Sequence, residues 1–368
     1  MDFFLTFTDS YYFISIFTFT LSILITYLLL KERIIPNHYS EDIDYGRQKI
    51  HKGNIKRIGG LSIVFSMIIF LIIEIVFFKN NSDFKLYFIF FYCCIIFLIG
   101  FLEDLIKDIK PRTRLLLLFI CSCLWLIDSE NLIRYTNIDF IDNLIQIEII
   151  SIILTLFCII SSINATNMMD GANGLLTIFV ISVCSILSFY AFNANDTILL
   201  KFLFMLTGSF LGFLIFNWPK AKIFLGDGGS YFIGSILSSL LIFMSNHLSN
   251  FNMLNALVIM LYPSWELMFT VFRRVYSSSK ITKPDNLHLH TIIHANIKRM
   301  NLTIKYKINS NALSGLIVNL IALLPPVIFL NYKFGDDLQD KETLLFYILC
   351  IISYTIIYLI LKKKNNRQ

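Results

Sequence analysis

Long apolar runs recur along the whole of this 368-residue chain, and they restrict its fold more than any other feature. About 20 consecutive apolar residues cross the hydrocarbon core of a bilayer as a helix, because lipid offers no partner for open backbone groups. A mean hydropathy of +0.70 with 15% charged residues excludes an ordinary soluble domain. The sequence therefore predicts an all-α polytopic membrane protein with about eleven transmembrane helices. Their predicted positions are residues 10–30, 58–78, 86–102, 114–127, 144–163, 175–192, 198–216, 229–245, 254–272, 313–330 and 343–361.

Lys and Arg are unevenly distributed over the segments between these runs. With the amino end outside, the inner segments carry 25 of the 31 basic residues and the outer segments carry 6. Basic residues beside membrane spans stay cytoplasmic. This predicts an outside amino end, a cytoplasmic carboxyl end and a single membrane domain over residues 1–368. The segments with candidate chemistry all fall on the inner side, at 31–57, 103–114, 164–174, 217–230 and 273–312.

The inner loop between the fifth and sixth predicted spans is dense in oxygen ligands. Asn164, Asn167 and Asp170 follow one another in steps of three, which places them on one face of a short helix. Gly171 and Gly174 permit a tight backbone, so the carboxylate can approach a metal ion or a phosphate closely. The competing interpretation is an ordinary turn rich in Asn and Gly.

Acidic residues also stand at the ends of two other predicted spans. Glu103 and Asp104 close the third span, where carboxylates are costly unless hydrated, paired or metal-bound, and Lys107 can pair with Asp104. Asp227 stands among glycines at the mouth of the eighth span, a backbone nest that suits a diphosphate with its Mg²⁺. The alternatives are a solvated loop and a capped helix start.

The remaining inner loops carry basic residues and histidines. His51 and Arg57 precede a Gly-Gly helix start that can bind phosphate, or they anchor the chain to anionic lipid. Three histidines stand close together before the tenth span, where a diphosphate contact is preferred over a zinc site because no Cys or spaced Glu accompanies them. Pro263 and Glu266 in the ninth span predict a broken helix that faces a cavity. The three histidines are His288, His290 and His294.

Taken in this order, the segments resemble those of the polyprenyl-phosphate N-acetylhexosamine-1-phosphate transferases. Three departures from the family pattern stand out. Glu103 replaces the first Asp of an Asp-Asp-x-x-Lys motif, Asn173 replaces a second Asp, and the histidines are not the consecutive three of the pentapeptide translocases. The matching segments are residues 103–107, 164–171, 226–230 and 284–290.

The resemblance implies transfer of N-acetylhexosamine 1-phosphate from a UDP-sugar to undecaprenyl phosphate, with release of UMP, as the first membrane step of a cell-surface glycan. It implies Mg²⁺, with Mn²⁺ as the alternative ion, a bacterial inner membrane and contact with membrane lipid, without nucleic acid. Transfer of phospho-N-acetylmuramoyl-pentapeptide and transport of a lipid or ion remain alternatives. The sugar, the pathway, the choice between direct and covalent transfer, and the oligomeric state (a homodimer is one option) stay open.

The resemblance also assigns roles to residues. Asp170 and Asp227 are the expected metal ligands. Asp104 is expected to deprotonate or position the acceptor phosphate. The expected catalytic residues are Glu103, Asp104, Asp227 and His290, and the expected substrate-binding residues are His51, Arg57, Lys107, Asn167, His288 and His294.

Overall fold

The computed structural model describes residues 11–31, 41–42, 55–78, 84–106, 109–127, 129–276, 287–300, 309–335 and 340–366. Almost all of these residues are helical, as expected for an all-α membrane protein. A short strand β1 (Glu41–Asp42) pairs antiparallel with β2 (Ile55–Lys56). The helices are α1 (Tyr11–Lys31), α2 (Gly60–Ile73), α3 (Phe84–Ile106), α4 (Pro111–Ser122), α5 (Asp139–Ile145), α6 (Glu148–Met169), α7 (Leu175–Asn193), α8 (Thr197–Asn217), α9 (Gly226–His247), α10 (Met253–Ile259), α11 (Leu261–Tyr276), α12 (Leu289–Arg299), α13 (Ser310–Gly335) and α14 (Asp340–Asn366).

Within the described ranges, eight helices are long and apolar enough to cross a bilayer, and the number rises to nine if the pair α10 and α11, which is bent by 73°, is counted as one span. The bend confirms the interruption predicted from Pro263, which lies in the first turn of α11, where a proline is tolerated. In two predicted spans the α-helix changes to another helix type before the predicted end. Helix α2 runs into a π-helical turn at Glu74–Phe78, and α4 ends at Ser122 before a 3₁₀ turn. The count of eleven is therefore not confirmed.

Helix α9 is the centre of the bundle, and nearly all of its membrane-spanning window is buried. It packs against α3 and α6. Small residues make this close packing possible, because backbones approach each other where side chains are short. A Cβ atom on Gly234 would lie 2.5 Å from the Ile163 Cα of α6, and one on Gly60 would lie 2.6 Å from the Gly229 Cα. Most serines of α9 hydrogen-bond to carbonyls of their own helix, as Ser238 does to Gly234, and this satisfies their buried hydroxyls.

Backbone hydrogen bonds attach the segment before α2 to the segment before α9. Phe224 N–H donates to the Lys56 carbonyl at 2.8 Å, and Gly59 N–H donates to the Phe224 carbonyl at 2.8 Å. Gly60 N–H continues the pattern to the Leu225 carbonyl at 3.0 Å. This connection holds Arg57 beside the first turn of α9, at the end of the bundle where α3 and α6 also terminate.

Candidate active site

Arg57 joins two carboxylates that come from different helices. Its Nη2 donates to Asp227 Oδ1 at 2.8 Å, and its Nε lies 3.4 Å from Asp104 Oδ1. The Asp104 side chain is nearly buried, whereas Asp227 is about one-fifth exposed. Two carboxylates held this close repel each other unless a cation lies between them, and the guanidinium supplies that charge.

The glycine-rich first turn of α9, predicted as a backbone nest for a diphosphate, here donates to a carboxylate of the protein. Gly226 has φ +79°, a conformation that L side chains rarely adopt, and Gly228 N–H then donates to Asp104 Oδ2 at 3.1 Å. The positive end of the α9 dipole faces the same carboxylate. Asp104 therefore contacts both Arg57 and the glycine turn. It is not among the residues that line the cavity described below.

A second ionic group lies beside the first. Tyr231 O–H donates to Glu103 Oε2 at 2.7 Å, and Arg114 Nη1 lies 3.5 Å from Glu103 Oε1. Arg114 also donates to Asn164 Oδ1 at 3.5 Å. Sequence reasoning assigned no role to Arg114 or Tyr231. The position of Tyr231 four residues after Asp227, on the same helix face, was the signal available for it.

The loop after α6 brings the third acid to this group. Asn167 Oδ1 accepts from the Ser230 hydroxyl at 2.9 Å, which ties α6 to α9. Asp170 ends α6 and lines the cavity, and it interacts electrostatically with Arg57 and Asp227. Burial raises the pKa of the Asp170 carboxyl to about 7, with Arg57 opposing and Asp227 reinforcing the shift. The acids predicted from separate segments are thus brought together.

Asparagines fix the rest of this loop. Asn173 N–H donates to Asn311 Oδ1 at 2.9 Å, and the Asn173 side chain donates to the Pro219 carbonyl at 3.1 Å. Gly174 N–H donates to Asn217 Oδ1 at 2.9 Å, in a left-handed conformation with φ +73°. Asn173, which replaces the family's second Asp, is therefore a donor here, a role that a carboxylate cannot take.

The histidine segment, which includes the start of α12, packs against the loop that follows α6. A Cβ atom on Gly171 would lie 2.1 Å from His290 Nε2, so the glycine is what allows this ring to approach. Burial, with His288 nearby, lowers the pKa of His290 to about 4, and burial with Lys298 nearby lowers that of His294 to about 4. Both rings are therefore neutral at pH 7.

Not every predicted site residue reaches the cavity. His288 and His290 line it, whereas His294 is buried and is not one of its lining residues. His51 and Lys107 lie outside the described residues. Among the residues that the structure does describe, no three His, Cys, Asp or Glu side chains converge as a metal-ligand cluster.

The cavity has a volume of about 1120 Å³. This is at the upper limit of ordinary ligand sites, and it is large enough for more than one small substrate. One part is polar and charged, and the other is apolar and formed largely by α9, α10 and α11. The polar part includes Arg57, Arg114, Asn167, Asp170, Asp227 and His290, and the apolar part includes Leu241, Ile242, Met253, Met260, Leu267 and Val271.

Comparisons with known proteins agree with the resemblance found in the motifs. Residues 86–245 match the family described as glycosyl transferase family 4. A probable undecaprenyl-phosphate N-acetylglucosaminyl 1-phosphate transferase of Bacillus subtilis is 35% identical over 103 residues, which is 27% of this chain and 28% of the relative. An undecaprenyl-phosphate alpha-N-acetylglucosaminyl 1-phosphate transferase of Thermotoga maritima is 32% identical over 90 residues, 24% of this chain and 29% of the relative.

A phospho-N-acetylmuramoyl-pentapeptide-transferase of Leuconostoc citreum is 50% identical over a shorter stretch of 48 residues, 13% of this chain and 15% of the relative. In each of these three comparisons the chain spans less than a third of the relative's length. The predicted resemblance to the polyprenyl-phosphate transferases is confirmed over this part of the molecule.

Proposed function

We propose that this multi-pass membrane protein transfers N-acetylglucosamine 1-phosphate from its UDP-linked form to a polyprenyl phosphate such as undecaprenyl phosphate, and releases UMP. The observation that carries the proposal is the convergence of Asp170, Asp227 and Arg57 on one cavity that has a polar, charged part and an apolar part. Charged groups suit a diphosphate, and apolar walls suit a lipid acceptor. The names of the relatives support N-acetylglucosamine as the sugar.

In this reaction an oxygen of the polyprenyl phosphate attacks the phosphorus that carries the sugar, and the bond from that phosphorus to UMP breaks. Both reactants are anions, so positive charge must screen their approach and stabilise the leaving phosphate. Arg57 and Arg114 line the cavity and are placed to do so. A phosphate monoester is already largely ionised at pH 7, so the acceptor needs little help from a base. The buried position of Asp104 supports a role in positioning Arg57 and the glycine turn.

The donor set on the cavity wall fits a divalent cation with hard oxygen ligands. Mg²⁺ binds one or two carboxylates and completes its shell with water and substrate phosphates, so it does not need a closed cluster of protein ligands. Asp170 and Asp227 would hold the ion, with Mn²⁺ as the alternative. Bound there, the ion would neutralise charge on the diphosphate.

Two other functions fit the sequence less well. A phospho-N-acetylmuramoyl-pentapeptide donor is favoured by similarity to two transferases of that name, over 48 residues in the Leuconostoc relative and over 105 residues, at 30% identity, in one of Endomicrobium trichonymphae. A transporter would place polar groups near the bilayer midplane, whereas the acids here lie at helix ends. The distribution of Lys and Arg supports a cytoplasmic site at a bacterial inner membrane.

The test uses purified protein in nanodiscs with undecaprenyl phosphate, Mg²⁺ and a panel of UDP-sugars, and it measures UMP and lipid-linked sugar. UDP-N-acetylglucosamine should be the preferred donor, and Asp227→Asn should lower kcat by at least about 100-fold. Preference for the muramoyl-pentapeptide donor would support the second function. If no UDP-sugar in the panel yields UMP, the proposal fails.

A further inference from the structure

Glu266 of α11 is a buried carboxylate that belongs to none of the groups described above. Its side chain is about 2% exposed, and three donors converge on it. His288 Nδ1 lies 3.1 Å from Oε1, Leu289 N–H donates to the same oxygen at 3.3 Å, and the Tyr354 hydroxyl donates to Oε2. A carboxylate this deep is stable only with such a set of partners.

The contact determines which ring nitrogen of His288 carries a proton. A backbone N–H can only donate, so Oε1 of Glu266 acts as an acceptor, and the proton of the His288 contact then lies on Nδ1. A ring that has its single proton on Nδ1 carries its lone pair on Nε2, on the side away from Glu266. His288 lines the cavity, and its ring stacks on that of His290 at 5.7 Å with an interplanar angle of 6°.

Helix α14 also contacts the segment that contains His288. Tyr358 lies one helical turn after Tyr354 on α14, and its hydroxyl donates to the Leu287 carbonyl at 2.8 Å. Tyr354 is also packed beside Phe269 of α11. The residues on both sides of His288 are thus bound, one through Tyr358 and one through Glu266, so the ring has little freedom to turn.

We infer that Glu266 is a positioning residue for the transfer reaction: it fixes the tautomer and orientation of His288, so that the Nε2 lone pair of that ring faces the cavity and accepts a hydrogen bond from a water or a hydroxyl group of the bound substrates. An orienting carboxylate or carbonyl behind a functional histidine is a common arrangement. The inference rests on the proposed function for the identity of the ligand, but the tautomer can be tested without it.

The direct test is ¹⁵N NMR of histidine-labelled protein in nanodiscs, with the His288 signals identified by their loss in His288→Asn. The wild-type ring should be protonated on Nδ1. Glu266→Met removes the acceptor at similar volume and should change the tautomer, whereas Glu266→Gln keeps an acceptor oxygen and should retain it. An Nε2-protonated wild-type ring, or a ring unaffected by Glu266→Met, would overturn the inference.

The kinetic test separates positioning from general stability. Glu266→Met should lower kcat by about 10- to 100-fold while the KM for the UDP-sugar changes by less than about threefold, and Glu266→Gln should restore most of the loss. The matched control is Glu74→Met. Glu74 is another carboxylate that accepts a hydrogen bond from a tyrosine, Tyr87, at 3.4 Å, and it lies far along the chain from the site residues. An equal loss in the control, or no rescue by Gln, would refute the role. If the wild type turns over no UDP-sugar, the proposed function fails, and the NMR result still decides the geometry.

Discussion

Gly226→Ala tests the geometry of the site with a single methyl group. The φ of +79° at this position costs an L residue about 1–2 kcal/mol. The added Cβ would lie 2.2 Å from the Arg57 carbonyl oxygen and 2.5 Å from Asp104 Oδ2. Ordinary contact begins at 3.4 Å, so the glycine turn must separate by about 1 Å from the Arg57 backbone and from the Asp104 side chain. A displacement of about 1 Å at reacting groups costs about 100-fold in rate.

The assay is UMP release at saturating donor, with the kcat normalised to folded protein by size-exclusion chromatography. Gly208→Ala is the matched control, because its Cβ would also lie 2.2 Å from a backbone oxygen, that of Ser15, where α8 packs on α1. The control should lower the thermal midpoint and leave kcat unchanged. A kcat for Gly226→Ala within threefold of wild type, or an equal loss in the control, would show that the turn does not position the reacting groups.

Three other predictions follow from single contacts. Arg57→Ala leaves two carboxylates without their shared cation and should destabilise the protein by about 2 kcal/mol, a value reduced for the partial exposure of the guanidinium. Added Mg²⁺ should restore part of the thermal midpoint of this variant. If Mg²⁺ has no effect, the assignment of Asp170 and Asp227 as metal ligands is contradicted. Burial raises the pKa of the Asp170 carboxyl to about 7, so this group holds a proton below that pH and binds a cation less well. The Mg²⁺ concentration for half-maximal activity should therefore rise by up to about tenfold from pH 7 to pH 6. An unchanged Mg²⁺ requirement would argue against Asp170 as a ligand. Asn173→Asp removes the donor to the Pro219 carbonyl and should lower stability by about 1–3 kcal/mol, and a thermal midpoint equal to wild type would refute that structural role.

The helical class of the protein could be predicted from sequence because hydropathy is a local property. A run of apolar residues specifies a buried helix whatever its neighbours are. The same locality limits how well helix boundaries are predicted. In the predicted short span 114–127, the α-helix ends at Ser122 and a 3₁₀ turn continues to Ile127, since helix form in lipid depends on packing with other helices as well as on composition.

The candidate site was predictable in part for the same reason. Acids, histidines and glycines at helix ends stand out from the apolar background, so Asp104, Asp170 and Asp227 were found without any knowledge of their neighbours. The sequence did not predict which of these acids line the cavity and which are buried behind it. Asp170 and Asp227 line the cavity, whereas Asp104 lies beneath it and binds the glycine turn. A sequence pattern identifies a carboxylate, but it does not show which other segments pack against that carboxylate.

By itself, then, the sequence determined that the chain is a bundle of membrane helices with chemistry concentrated at one surface, because both properties depend on residue type and spacing along the chain. Only the tertiary structure decided which groups act together. Arg57 meets Asp227 across 170 residues, and Tyr354 meets Glu266 across 88. Pairings of this kind depend on which helix ends the packing around α9 brings together, and no local periodicity contains that information.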